Sequence, residues 1–318
     1  MTLPERQLVE RIRRKARGAN RVLALGIGDD CAVLRVEPGS DLLVTTDMCV
    51  EDIHFKRAWH TARSVGHRCL LRGLSDIAAM GGTPTACFLS LGLSETLSAK
   101  WANDFIAGLL GLAGKFNVAL AGGDTTKSEK VTADIVVLGK VPSGRAVSRS
   151  RARPGDKIYV TGMLGGSAWL LKRLMAGESV SRLSVQRQFC LLPRLAVGDW
   201  LRERGVPTAM IDLSDGLSVD LAHICKESNV AAELWSGAIP VERGATLEMA
   251  LHGGEDYELL FTAPAKIRVP PRIEGVPVSS IGEIRPAPNK AARVLIGEQG
   301  GKLRPLPPRG WEHFSKRN

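Results

Sequence analysis

Val118-Ala119-Leu120-Ala121-Gly122-Gly123-Asp124-Thr125-Thr126 runs from a short β-type stretch into a glycine pair, an acid and two hydroxyls. The segments on either side of it decide the architecture. Upstream, Lys100 to Phe116 reads as a helix, Thr85 to Leu93 as a strand, and Arg63 to Met80 as a helix closed by Gly81-Gly82 and Pro84. Asp41 to Asp47 reads as a short strand ending in an acidic turn, and Glu5 to Arg17 as a charged helix with a narrow apolar stripe. Downstream, Ile135 to Val141 is another run of strand length. Strand and helix signals alternate, so an α/β or α+β arrangement is expected.

Pro142-Ser143-Gly144, followed by Arg149, Arg151, Arg153 and Pro154-Gly155, is polar and rich in breakers. It reads as a link, dividing the chain into domains 1–145 and 146–318. Beyond it come a strand (Lys157 to Thr161), a glycine-rich turn (Gly162 to Ser167), and helices around Ala168–Met175 and Pro193–Glu203. Asp212–Gly216 then opens a helix through Cys225, and strand-length runs follow at Val276–Ile284 and Arg293–Ile296.

Short acidic segments recur along this framework. They are Gly28-Asp29-Asp30, Thr45-Thr46-Asp47, Leu74-Ser75-Asp76, Gly122-Gly123-Asp124, Asp212-Leu213-Ser214-Asp215-Gly216 and Gly253-Gly254-Glu255-Asp256. Gathered carboxylates repel one another and take protons back unless something positive sits among them. Oxygen donors of this kind suit Mg²⁺, which binds a few carboxylates together with substrate phosphates. Each segment also has a plain reading: Gly28-Asp29-Asp30 as an ordinary loop, Ser75-Asp76 and Ser214-Asp215 as helix N-caps, Gly122-Gly123-Asp124 as a tight turn. The signal lies in the set, which points to a Mg-nucleotide enzyme.

Composition narrows the class. The chain has 318 residues, 44% of them hydrophobic and 24% charged, as in a soluble globular protein. No apolar run reaches the roughly 18–20 residues of a membrane span, and Met1 to Gly18 is charged, unlike a secretory signal. A cytoplasmic enzyme with no membrane partner is expected. Six scattered cysteines without a C-x-x-C pair argue against a disulfide framework and a structural zinc site. The net charge of +10 gathers at the ends: Lys266 to Asn318 holds eleven basic against four acidic residues, Glu5 to Arg21 seven against two. The body that bears the motifs is slightly acidic, so a nucleic-acid groove is not expected.

Known phosphate cradles are missing. There is no G-x-x-x-x-G-K-[ST], and Gly26-Ile27-Gly28 lacks the third glycine of a dinucleotide fingerprint. Taken in order, however, the acidic segments together with Val50 to Phe55, Leu74 to Gly81, Asp212 to Leu217 and Gly253 to Leu259 resemble the thiamine-monophosphate kinases, from about Leu8 to Phe314. That family belongs to the ATP-binding superfamily of aminoimidazole-ribonucleotide synthetase and selenophosphate synthetase. Val50-Glu51-Asp52-Ile53-His54-Phe55 and Gly310-Trp311-Glu312-His313-Phe314 set it apart within the superfamily. One departure is Asp52, where the family usually has glycine, which puts the pose of His54 in question.

The resemblance implies a two-domain synthetase-type α+β fold. Its N-terminal sheet domain would form a dimeric β-barrel-like interface, its C-terminal half an α/β sandwich, and the active site would lie in the cleft between domains. It implies that Asp30, Thr45, Thr46, Asp47, Asp76, Asp124, Asp212 and Asp215 hold several Mg²⁺ ions. Gly123, Asp124, Arg149 and Ser214 would contact ATP, and His54, Glu255 and Trp311 would face thiamine monophosphate. His54 and Trp311 also read as packed core residues. No covalent nucleophile and no strong general base stands out. Three rival readings stay open: a sister synthetase, a silent nucleotide binder, and a basic nucleic-acid binder.

Overall fold

The computed structural model describes residues 37–181, 188–287 and 293–310, with 11, 12, 14, 15 and 185 and the strand backbones of 23–25 and 33–34. These residues divide into two units. One comprises the chain up to Ile77 with Gly82–Gly144 and Phe189–Leu192; the other comprises Ala78–Gly81, Arg145–Gln188 and the chain from Pro193 onward.

In the first unit a two-stranded pair, β1 (Leu23–Leu25) and β2 (Val33–Leu34), precedes β3 (Ser40–Val50), α1 (Ala62–Ala79), β4 (Thr83–Leu93), α2 (Ala99–Lys115), β5 (Ala119–Lys127) and β6 (Thr132–Pro142). The last four strands form a sheet in the order β3-β6-β4-β5, antiparallel except for β4 and β5. Position in the sheet explains composition. Central β4 is apolar nearly throughout, whereas edge strand β3 alternates. The helices supply Leu70, Leu71, Leu74, Ile77, Phe105, Ile106, Leu109 and Leu112 to the core, each side chain contributing about 1.5–3 kcal/mol by burial. Their backbones approach so closely at Gly66 and Gly108 that a Cβ on either would stand 1.9 Å from a carbonyl oxygen of the other helix. Ser98 caps α2 by accepting the Trp101 N–H.

Two local expectations are corrected here. Asp47 does not end β3 in an acidic turn, because the strand pairs with β6 through Val50. Gly122-Gly123-Asp124 is likewise no tight turn; it lies inside β5, paired with β4 through Lys127.

The second unit holds β7 (Asp156–Thr161), α3 (Gly166–Met175), α4 (Leu195–Glu203), β8 (Ala209–Asp212), α5 (Leu217–Glu227), β9 (Val230–Trp235), α6 (Leu247–His252), β10 (Leu259–Pro264), β11 (Arg272–Ile273), β12 (Val276–Pro286), β13 (Val294–Gly297) and β14 (Arg304–Pro305). The sheet order is β14-β13-β9-β12-β7-β10-β8, with β11 beside β12. Ile158, Val160, Ile211, Leu234, Leu260 and Ile284 on one face form a core with Leu217, Leu221 and Ile224 of α5 and Ala250 and Leu251 of α6. Mixed sheets with packed helices make this a two-domain α+β chain.

Candidate functional site

Strand register sorts the acidic residues of the first unit. Thr45, Asp47 and Cys49 lie opposite Val137, Ile135 and Ala133, on the face where a Cβ on Gly73 of α1 would stand 2.5 Å from Val137 and 3.5 Å from Thr45. The Thr45 hydroxyl donates to the Asp76 carboxylate, which projects from the last turn of α1. Ser75 and Asp76 are therefore not helix caps. Asp47 stands beside Asp76. Burial, and then the Asp76 charge, push its carboxyl up to about 7, while the Arg72 guanidinium pulls the other way. Arg72 also donates to the Met48 carbonyl at 3.2 Å.

Thr46 and Asp124 point to the opposite face. There Asp134, Ser90 and Asp124 form one row across β6, β4 and β5, with Met48 beside Asp134 on β3. Asp124 and Asp134 line a pocket of about 280 Å³ together with Ser90, Thr126, Lys127, Ser128 and Thr132. Gly123 permits the close pairing of β5: its φ is +149°, and a Cβ there would stand 1.9 Å from the Leu89 oxygen. On this face Leu42, Val44 and Met48 are 51%, 57% and 51% exposed.

His54 sits in a tight loop after β3. The Val50 N–H donates to His54 Nδ1 at 3.0 Å, and the His54 N–H donates to the Val50 carbonyl at 2.9 Å. An accepting Nδ1 leaves the ring proton on Nε2. Asp52 has φ +67°, the left-handed region that favours glycine; an aspartate can adopt it at modest cost. Glu51 is buried and accepts from Arg57 and from the Val131 N–H. Phe55 meets His60 edge-on, and His60 stacks on Phe189 at 3.9 Å.

In the second unit two segments run side by side beyond the β8·β10 ladder. The Leu213 N–H donates to the Glu258 carbonyl at 2.8 Å, Tyr257 N–H to Leu213 at 2.9 Å, and Glu255 N–H to Ser214 at 2.8 Å. Ser214 does not cap α5; Gly216 occupies that position, and Asp220 from the first turn accepts the N–H groups of Asp215 and Gly216 at 3.2 and 3.0 Å. Burial, then Asp212 and Asp215, push the Asp220 carboxyl well above the carboxylate range. Asp256 accepts the Gly165 N–H at 2.9 Å and is raised to about 8 by burial. The Ser167 hydroxyl donates to the Glu255 carbonyl at 2.8 Å. A Cβ on Gly310 would stand 2.1 Å from the Asp215 oxygen, so the C-terminal stretch reaches this loop.

The structure thus brings Thr45, Asp47 and Asp76 together, places Thr46 and Asp124 across the sheet from them, and sets Asp212, Ser214, Asp215 and Glu255 side by side in the other unit. Gly123 adjoins Asp124, and the exposed Arg149 accepts at its carbonyl from Ser228. Asp30 and Trp311 lie outside the described residues. Among the described residues no three His, Cys, Asp or Glu side chains converge as a ready metal cage. The donors nonetheless fit Mg²⁺. They are hard oxygens, the Asp47 and Asp220 carboxyl groups are pushed up by burial and then by neighbouring carboxylates, and the Thr125 hydroxyl is buried without a partner. Sequence reading missed Arg72, Asp134, Asp220, Glu258 and Arg194. Of these, Glu258 falls within the Gly253–Leu259 segment and Asp220 lies five residues beyond Asp215; the other three left no trace.

Residues 28–141 match the AIR synthase related protein N-terminal domain, and residues 153–294 its C-terminal domain. A thiamine-monophosphate kinase of Salmonella typhimurium is 37% identical over 89% of this chain and 91% of that protein. The crystal structure of the thiamine-monophosphate kinase from Stenotrophomonas maltophilia superposes with a TM-score of 0.80 at 33% identity, covering 95% of this chain and 99% of that one. A structure described as AaThiL complexed with AMPPCP and TMP gives 0.77 at 30% identity, covering 99% of both.

Proposed function

This chain belongs to the thiamine-monophosphate kinases of the AIR synthase related family, and from that premise we propose that it passes the γ-phosphoryl group of ATP directly to the phosphate of thiamine monophosphate. The product is thiamine diphosphate. The observation that carries the reading is the pairing of Asp47 with Asp76, two carboxyl groups crowded together where a cation would relieve them.

The acceptor needs little activation. The second pKa of a phosphate monoester is about 6, so the attacking oxygen is an anion at neutral pH. That agrees with the lack of an evident general base. The difficulty is bringing two polyanions together in line. Bound Mg²⁺ supplies charge neutralisation for that approach. Asp30, Thr45, Thr46, Asp47, Asp76, Asp124, Asp212 and Asp215 are the residues proposed to hold several such ions. His54, with its proton on Nε2, donates to the acceptor phosphate. Glu255 and Trp311 bind the cationic thiazolium by charge and ring contact. Gly123, Arg149 and Ser214 orient ATP.

The test is ADP release from Mg-ATP with thiamine monophosphate, thiamine, or neither, with the product identified. Turnover with the monophosphate alone, yielding the diphosphate, is expected. Tight Mg-ATP binding without turnover would overturn the substrate assignment, and labelled phosphate bound covalently to the protein would overturn direct transfer.

The open face of the four-stranded sheet supports a second element of the reading. Leu42, Val44 and Met48 on edge strand β3 present an apolar strip to solvent, of the kind that marks an interface. We propose that two copies pack these faces together as a barrel-like dimer. Light scattering on the parent should give a dimer and on Val44→Asp a monomer; a monomeric parent refutes the packing.

A further inference from the structure

We infer that Arg194 is a positioning residue: by locking Glu258 it fixes the register of the Asp212–Gly216 loop against the Gly253–Glu258 segment. The inference rests on the reading above, in which Asp212, Asp215 and Glu255 serve the reaction.

Glu258 is where the two segments are fastened. Its backbone carbonyl accepts the Leu213 N–H, immediately after Asp212. Its side chain turns away into a buried socket. Arg194, at the residue before α4, donates from Nε to Oε2 at 2.6 Å and from Nη2 to Oε1, a two-pronged ion pair. The Thr161 hydroxyl donates to the same Oε2 at 2.6 Å and in turn accepts the Leu259 N–H at 2.8 Å. The socket has no slack. Gly162 has φ +62°, and a Cβ there would stand 2.0 Å from the Glu258 carboxylate.

Neither Arg194 nor Glu258 is assigned a contact with substrate. Their geometry acts through what Glu258 holds. Three residues before it stands Glu255, whose N–H is bonded to Ser214; one residue before it stands Tyr257, bonded to Leu213. Glu255 and Tyr257 both have positive φ, at +65° and +50°, so the segment sits in a backbone shape that needs external support. Without the guanidinium, a buried carboxylate is stranded and must move toward water or take up a proton. Either response releases the anchor of both acidic segments.

The experiment is amide hydrogen exchange and steady-state kinetics on the full chain carrying Arg194→Ala or Arg194→Lys. In Arg194→Ala the amides of Leu213, Glu255 and Tyr257 should exchange about tenfold faster while those of the β3–β6 sheet stay as in the parent. The KM for thiamine monophosphate should rise about tenfold, a loss that a mere fall in folded fraction would not produce. Millimolar guanidinium should restore part of both effects in Arg194→Ala, and Arg194→Lys, with charge but no fork, should fall between the two. Unchanged exchange at the three amides, or faster exchange everywhere, overturns the inference. If Arg194→Ala does not fold, Arg194→Lys is read by the same criteria. Glu255→Gln and Asp215→Asn separate the two layers. If both keep full activity while Arg194→Ala frees the amides, the site reading fails and the clamp stands. If both lose activity while Arg194→Ala exchanges and turns over as the parent, the clamp fails.

Discussion

The two units carry their acidic groups by opposite means. In the first, Asp47 and Asp76 project from a regular strand and the last turn of a helix, and the pleat of β3 decides which face of the sheet Asp47 meets. In the second, Asp215 and Glu255 stand on irregular segments held by backbone hydrogen bonds and by the buried side chains of Asp220 and Glu258. Regular elements place charges cheaply but leave them to repel. Loops place them closely, provided that a second set of buried residues fixes the backbone.

The contrast can be broken most sharply at Asp215. Asp215→Asn keeps the loop's shape and should lower kcat by about 100- to 1,000-fold, read as ADP release at saturating Mg²⁺. Unchanged turnover would show that the second unit's loop lacks the proposed role. Next in size is Gly123→Ala, the one place where the regular sheet depends on backbone freedom. A methyl pressed against the Leu89 carbonyl should cost about 3 kcal/mol in denaturant unfolding. A loss below the error of that measurement would mean that β5 shifts freely.

Asp47 tests the idea that the first unit stores repulsion. Its carboxyl titrates at about 7 in the folded chain, against 3.8 as reference. A raised folded value means that the stabilising contribution is complete below about pH 4 and is lost as the pH rises through 7. Asp47→Asn should therefore match the parent at pH 4 and be more stable by about 1–3 kcal/mol at pH 8 in chelator, while losing activity. A parent of equal stability at both pH values would remove the repulsion. The smallest effect is expected at Asp52, where glycine relieves the left-handed backbone: Asp52→Gly should add about 0.5–1 kcal/mol with turnover unchanged. A loss of activity would tie the aspartate side chain to the pose of His54.

The sequence was legible where period and punctuation agree. The helix expected over Arg63–Met80 is α1, Ala62–Ala79, and the strand expected over Thr85–Leu93 is β4, Thr83–Leu93. The sequence misled where glycine and aspartate suggested turns, at Asp47 and Gly122–Asp124, because pairing with a neighbouring strand overrides local preference. The division of Thr45 and Asp47 from Thr46 and Asp124 depends on register across four strands, which local patterns do not carry. Arg194 and Glu258 lie 64 residues apart, and nothing local announces that an arginine before one helix answers a glutamate before a distant strand.

Phe189–Leu192 belongs to the first unit while the chain on both sides of it belongs to the second. Phe189 stacks on His60, and Arg68 lies 5.3 Å from the same ring. A chimera joined to a relative at the breaker-rich linker would transplant His60 and Arg68 while leaving their aromatic partner behind. The exchangeable module is therefore discontinuous: a graft of the first unit has to bring four residues from the far side of the linker with it.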